Sequence, residues 1–305
     1  MSALLGGMMR IGLIGTGNIS RHFVRRWVGA GHVVIVIDCN ATAVSAALEY
    51  GAVAAGGLDE MLAEVSVVCM SLPTPDSALS VVRELAGRSG RRRPNVLVDL
   101  STIGPEATRE AKALMDEAGL RFLSAPVIGG LTAAVRGELT IMAAGSLDAY
   151  GSALLALEAI GKHVFYLGTD VASGQTLRVL NSVLYATSML ASFEVMACGA
   201  AAGIEPHMVL DVINRSSGRS FATQERRASG LLDRSFPPRF SSSLLRNDVH
   251  LGLQAAEALG VPMDVCRTAL RLLDVVIADG FGEAGNTTAI KSVDRVAEVA
   301  FSSAP

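Results

Sequence analysis

Cysteine is scarce in this chain: four of 305 residues, at 39, 69, 198 and 266, with no Cys-x-x-Cys pair. That argues against a disulfide framework or a thiolate zinc site. Cys69 and Cys198 lie in apolar runs that suit buried, reduced thiols of a cytoplasmic protein. The five histidines, at 22, 32, 163, 207 and 250, show neither His-x-His nor His-x-x-x-His spacing, so no metal centre is expected. Aromatic residues make up 5% and charged residues 18%, whereas hydrophobic residues make up half, a balance that excludes a disordered chain. A formal charge of −3 offers no basic face, so nucleic acid is not an expected partner. Internal repeats and low-complexity linkers are missing too. Arg91-Arg92-Arg93 and Glu225-Arg226-Arg227 read as solvated faces. The apolar opening MSALLGGMMR is too short for a secretory leader, and no small-residue cleavage site follows. One run, 183–202, reaches membrane length, but Glu194 near its middle would be penalised in a bilayer. A buried helix at a domain or subunit interface is expected there, with no membrane partner.

What the chain does have is alternation. Short β-branched runs at 10–15, 33–38, 65–72, 95–100, 121–125 and 139–144 are separated by helical patterns at 19–29, 41–50, 77–88 and 105–118. Continuous apolar strands with intervening helices indicate a parallel sheet covered on both faces, here an N-terminal Rossmann-type doubly wound domain over 1–170. From 175 onward the pattern is helical only, broken at Gly203, Ser216–Gly218, Pro237–Pro238, Gly260–Pro262 and Gly280–Gly285. An all-α domain over 171–305 is therefore expected, opening with a long helix over about 175–202.

The first strand runs into Gly15-Thr16-Gly17-Asn18-Ile19-Ser20, which reads as Gly-x-Gly-x-x-Gly with Ser in the third place. Gly15 allows the tight turn, Gly17 lets backbone approach a pyrophosphate, and Ser20 is small enough for helix–strand packing. The second strand ends at Asp38, 23 residues after Gly15, near the spacing of an acid that binds a ribose 2′-hydroxyl. A carboxylate repels a 2′-phosphate, and Cys39 and Asn40 supply no cation, so NAD is favoured, with NADP as the alternative.

Several segments together resemble the β-hydroxyacid dehydrogenase family along nearly the whole chain. They are the Gly12–Ile19 fingerprint, Ser71-Leu72-Pro73, Asp99-Leu-Ser101-Thr102-Ile-Gly-Pro105, Ala125-Pro-Val-Ile128-Gly129-Gly130, Gly137–Met142 and Ser173-Gly174-Gln175 at the start of the long helix. Ser216–Ser220 and Leu259–Pro262 match landmarks of the helical domain. The resemblance implies cofactor contacts from Leu72, Pro73, Ser77, Thr102 and Asn247 besides Gly15–Ile19, Asp38 and Cys39. It implies substrate contacts from Ser101, Ile128, Gly129, Gly130 and Asn247, and a homodimer or homotetramer. It also exposes departures. Where the family has a carboxylate-binding Ser, this chain has Ile128. Where it has a catalytic Lys and, four residues on, an Asn, this chain has Arg178 and Ser182. Its Lys-Asp pair is here Asn247-Asp248. Asn181 is no substitute, because it points about 100° away from position 182.

Lys serves as acid or base because burial lowers its pKa, whereas a guanidinium keeps its proton. Arg178 is therefore expected to polarise a carbonyl or grip a carboxylate in bidentate fashion. Ser182 and Tyr185, at i+4 and i+7 from Arg178, are further catalytic candidates on the same helix face. For Tyr185 a packing role competes, as a surface role does for His250. The expected activity is hydride transfer between nicotinamide and a small hydroxy acid, its carbonyl partner or a related alcohol. Two other readings stay open: an imine reductase-like enzyme, and a non-catalytic dinucleotide-binding sensor.

Overall fold

A computed structural model describes residues 7–88, 94–224, 231–232, 234–236 and 240–297. The Arg91–Arg93 and Glu225–Arg227 charge runs, the Pro237–Pro238 break and the opening hexapeptide lie outside the described residues. The chain forms two compact units, Met1–Arg178 and Val179–Pro305.

In the first unit strands and helices alternate: β1 (Arg10–Ile14), α1 (Ser20–Gly29), β2 (Val33–Ile37), α2 (Ala41–Leu48), β3 (Val53–Ala54), α3 (Leu58–Glu64), β4 (Val67–Met70), α4 (Pro75–Ala86), β5 (Val96–Asp99), α5 (Gly104–Glu117) and β6 (Arg121–Ser124). Then follow β7 (Val127–Ile128), α6 (Gly130–Arg136), β8 (Leu139–Gly145), α7 (Leu147–Ile160) and β9 (Gly161–Tyr166). The strand order is β3-β2-β1-β4-β5-β6-β8-β7, with β9 paired to β8. Strands β1 to β6 are parallel, with Ile11 opposite both Val34 and Val67. The expected parallel sheet holds through these six strands only, since β8 runs antiparallel to β6 and β7.

Alternate residues of each central strand go to opposite faces, so continuous apolar runs feed two cores. Ile11, Leu13, Val36 and Cys69 pack with Phe23, Val24 and Trp27 of α1. Ile35, Val68, Met70 and Leu97 pack with Met61, Leu79, Val82 and Met115 from α3, α4 and α5. Trp27 is fully buried, and its indole N–H donates to the Ala156 carbonyl at 2.7 Å, so the core contains no orphaned indole donor there. Burial pushes the Cys69 thiol up to about 12, which makes it unreactive.

The second unit is helical: most of α8 (Ala172–Ala201), then α9 (Pro206–Asn214), α10 (Phe221–Gln224), α11 (Ser242–Ala258), α12 (Asp264–Val276), a π turn at Ile277–Phe281, a 3₁₀ turn at Asn286–Ala289 and α13 (Ile290–Ala297). Val183, Met189, Phe193 and Met196 of α8 form its core with Leu245, Val249, Leu253 and Leu273. Gly252 lets α11 come close, because a Cβ there would lie 2.5 Å from Val183 Cγ2 and 3.1 Å from the Val179 carbonyl. By length and composition α8 could cross a membrane, yet one face of it supplies this core.

The first compact unit runs into α8 as far as Arg178. The first turns of the helix pack on the sheet unit: a Cβ at Gly174 would sit 2.4 Å from the Met142 carbonyl of β8.

Candidate active site

The β1–α1 turn is built by two glycines with different jobs. Gly15 has φ +91°, and a Cβ there would lie 2.3 Å from the Ser71 carbonyl beyond β4. Only glycine allows these segments to touch. At Gly17 an added Cβ would meet only Ser20 Oγ, at 3.9 Å, so the space in front of the turn is open. The cap of α1, Ile19, makes no side-chain bond, and the first turn holds no acid. Among the described residues no acceptor faces the N–H groups of Asn18, Ile19 or Ser20. Free amides and the positive end of a helix dipole are what an anion requires.

Asp38 follows β2. Its Oδ2 accepts from the Thr16 amide at 2.6 Å and the Thr16 hydroxyl at 3.1 Å, and Oδ1 accepts from the Asn40 amide at 2.8 Å. Burial would push this carboxyl up, but the Thr16 and Asn40 amides, the Thr16 hydroxyl and the Cys39 thiol together hold it below its ordinary value. It is therefore a carboxylate. Asn40 caps α2 through the Thr42 and Ala43 amides, and Cys39 is exposed beside it.

Beyond β4, Leu72 and Pro73 lead into a capping box in which Ser77 and Thr74 bond reciprocally. Ser77 thus fixes this loop. The Leu72 amide donates to Ser101 Oγ at 2.9 Å, so Ser101, 4% exposed, ties the loops after β4 and β5 together. Thr102 is half-buried beside it. The Gln175 side chain bonds the Ser101 carbonyl and the amides of Ile103 and Gly104, anchoring the start of α8 to the same loop.

Beyond β6 comes the two-residue β7, paired with β8 as Val127–Ile141 and Ile128–Thr140. Ile128 is half-buried. Gly129 (φ +140°) cannot carry a side chain, since a Cβ would lie 2.6 Å from Ala133 Cβ, whereas at Gly130 that space is open. Arg178 Nε donates to the Val127 carbonyl at 3.0 Å, which sets the half-buried guanidinium beside Ile128. The sequence-derived candidates of this unit therefore converge at the carboxyl ends of the parallel strands, where open α/β sheets bind ligands.

The second unit holds the remaining candidates. Ser182 Oγ donates to Asp248 Oδ2 at 3.0 Å, and both residues are buried. Tyr185 packs edge-on against Phe221, with ring centroids 6.0 Å apart. Asn247 is exposed within its unit, one helical step from the buried Asp248.

Asp99 and Gln175 appear in the sequence only as members of motifs, with no role of their own. Asp99 is fully buried at the end of β5, where Oδ1 accepts from the Ser101 amide at 2.9 Å. Its Oδ2 and the Oγ of Ser124, its register neighbour on β6, have no hydrogen-bond partner among the described residues. Burial raises the Asp99 carboxyl to about 7, against the lowering effect of the Ser101 hydroxyl and amide. The folded state then holds this proton more tightly than the unfolded state. Stability from this group is full below the unfolded value near 4 and is lost as pH rises toward 7. We expect Asp99→Asn to remove that slope and to be the more stable protein at pH 8, by up to about 4 kcal/mol. Denaturant melts of both proteins from pH 4 to 8 check this, and parallel pH profiles would contradict it.

Among the described residues no group of His, Cys, Asp and Glu is arranged to hold a metal. Residues 10–168 match the family model for the NAD binding domain of 6-phosphogluconate dehydrogenase. Residues 172–293 match that for the NAD-binding region of NADP-dependent 3-hydroxyisobutyrate dehydrogenase. The chain is 26% identical to 2-(hydroxymethyl)glutarate dehydrogenase of Eubacterium barkeri, covering 96% of this chain and 98% of that one. It is 30% identical to the NAD-dependent L-serine dehydrogenase of Pseudomonas aeruginosa, covering 90% and 95%. The solved structure of Mycobacterium tuberculosis 3-hydroxyisobutyrate dehydrogenase with L-serine superposes with a TM-score of 0.85 at 26% identity, covering 94% and 99%.

Proposed function

This chain belongs to the β-hydroxyacid dehydrogenase family, and from that premise we propose how its own residues carry out the reaction. It is an NAD(P)-dependent oxidoreductase that moves hydride between nicotinamide and a small hydroxy acid, its carbonyl partner or a related alcohol. The β1–α1 turn fits a dinucleotide: open space at Gly17, amides of Asn18 to Ser20 without an acceptor among the described residues, and the Asp38 carboxylate at the end of neighbouring β2, where it would meet an adenosine ribose. That carboxylate, with no cation at Cys39 or Asn40, favours NAD over NADP. When bound, the nicotinamide supplies the hydride acceptor for the oxidised carbon.

The substrate end rests on one observation, the bond from Arg178 Nε to the Val127 carbonyl, which orients the guanidinium next to Ile128. The compounds named in the relatives, 2-(hydroxymethyl)glutarate, L-serine and 3-hydroxyisobutyrate, each carry a hydroxymethyl group on the carbon that bears a carboxylate. The Arg178 guanidinium takes that carboxylate, doing the anchoring for which Ile128 has no hydroxyl. Ile128 turns an apolar side chain to the substrate's substituent. A guanidinium keeps its proton, so Arg178 does not act as the base. Ser182, whose hydroxyl donates to Asp248, is the proposed proton carrier, while Tyr185 serves packing on Phe221. Leu184 (67% exposed) and Val195 (51%) form an apolar stripe on α8 that supports a homo-oligomer.

The test is an initial-rate panel of the three hydroxy acids with each coenzyme, alongside calorimetry. Reduction of NAD by at least one acid, with NAD bound more tightly than NADP, is expected. Coenzyme uptake with no turnover would favour the sensor reading, and no uptake of either coenzyme would overturn the enzyme.

A further inference from the structure

Gln175 is fully buried, and its side chain is bonded only to backbone. Oε1 accepts from the amides of Ile103 at 3.1 Å and Gly104 at 3.2 Å, and Nε2 donates to the Ser101 carbonyl at 2.8 Å. A buried amide is costly unless it is bonded this fully, so the sequence retains it for what the bonds hold. The acceptor half does the work of a cap for α5, whose own cap residue, Ile103, makes no side-chain bond. The donor half does something different. Ser101, held at its carbonyl by Gln175, accepts at its hydroxyl from the Leu72 amide at 2.9 Å. One turn along α8 from Gln175, Arg178 is fixed to the Val127 carbonyl. A single side chain thus joins the loop after β4, the loop after β5 and the turn of α8 that carries Arg178.

A dinucleotide with its pyrophosphate on the β1–α1 turn and its adenosine ribose at Asp38 extends its other half across the strand-order reversal, toward the loops after β4 and β5. We infer that Gln175 is a positioning residue for the nicotinamide half: through Ser101 it sets the Leu72–Pro73 loop in register with the Arg178 guanidinium. The inference rests on the dinucleotide reading proposed above.

Two variants separate the two halves of the amide. Gln175→Glu keeps acceptor oxygens for the Ile103 and Gly104 amides and, measured at a pH high enough to ionise it against its burial, has no hydrogen for the Ser101 carbonyl. Gln175→Met fills similar space with neither function. Calorimetry on the full chain would measure NADH and ADP-ribose, which lacks the nicotinamide ring, together with melting temperature. In both variants ADP-ribose should bind within about twofold of wild type. The advantage of NADH over ADP-ribose should shrink by about tenfold, the effect of one lost hydrogen-bonded restraint. Both variants should melt below wild type, and the NADH-to-ADP-ribose ratio is read at a temperature where both are folded. An unchanged NADH-to-ADP-ribose ratio in Gln175→Glu, or equal weakening of both ligands, would overturn the inference and leave Gln175 as a cap only. Wild-type protein that takes up neither ligand would overturn the dinucleotide reading, and this inference with it.

Discussion

Arg178→Met is expected to lower kcat/KM for the hydroxy acid by about a thousandfold, close to 4 kcal/mol of transition-state stabilisation, with NADH affinity nearly unchanged. The size follows from what is lost. Charge-assisted bonds to a carboxylate are roughly twice as strong as neutral ones, and a paired guanidinium edge supplies two in a fixed plane. The plane is fixed here by Nε, which the Val127 carbonyl holds at 3.0 Å. Arg178→Lys retains a charge but neither the fork nor that backbone anchor, so it should fall between Met and wild type, chiefly through a higher KM. A rise in turnover with Lys would contradict the anchoring role, because it would mean that the site was short of an acid or base. Initial rates paired with coenzyme calorimetry distinguish these results.

Gly15→Ala should destabilise the first unit by about 3 kcal/mol or more and abolish coenzyme binding. The backbone there sits at φ +91°, and the new methyl would lie 2.3 Å from the Ser71 carbonyl, a backbone atom that cannot rotate away. Gly17→Ala is the control. Its methyl has no neighbour nearer than Ser20 Oγ at 3.9 Å, so the fold should melt as wild type. That same methyl enters the space before the free amides of Asn18 to Ser20, and NADH should bind at least about tenfold more weakly. A Gly17→Ala protein that takes up NADH normally would mean the pyrophosphate lies elsewhere.

These two glycines also mark how far the sequence was readable. The fingerprint turn and Asp38 are local: spacing along one strand–turn–helix–strand unit nearly determines their geometry. The central strands were legible because each is a continuous apolar run buried on both faces. Strands β3 and β7, of two residues each, are too short to show a period, and β9, exposed at Lys162, His163 and Phe165, has no continuous apolar run. What escaped prediction was set by topology. Gln175 reaches residues more than 70 positions away, and Arg178 reaches Val127 across 51. No local pattern encodes such a meeting, although a lone amide side chain in an apolar helix start was a clue. The Asn247-Asp248 pair was visible as a motif, but only the fold shows that Asp248 is buried and accepts from Ser182.

The bonds from Thr16 to Asp38 have a bearing on how coenzyme choice can change over evolution or by design. The carboxylate that would discriminate against a 2′-phosphate is also the clasp that fastens the fingerprint turn to the end of β2. Exchanging it for a neutral or cationic side chain in a single step would unfasten the turn before any new selectivity was gained. A switch toward the phosphorylated coenzyme therefore calls for a compensating acceptor for the Thr16 amide first, which makes the route to it at least a two-step path.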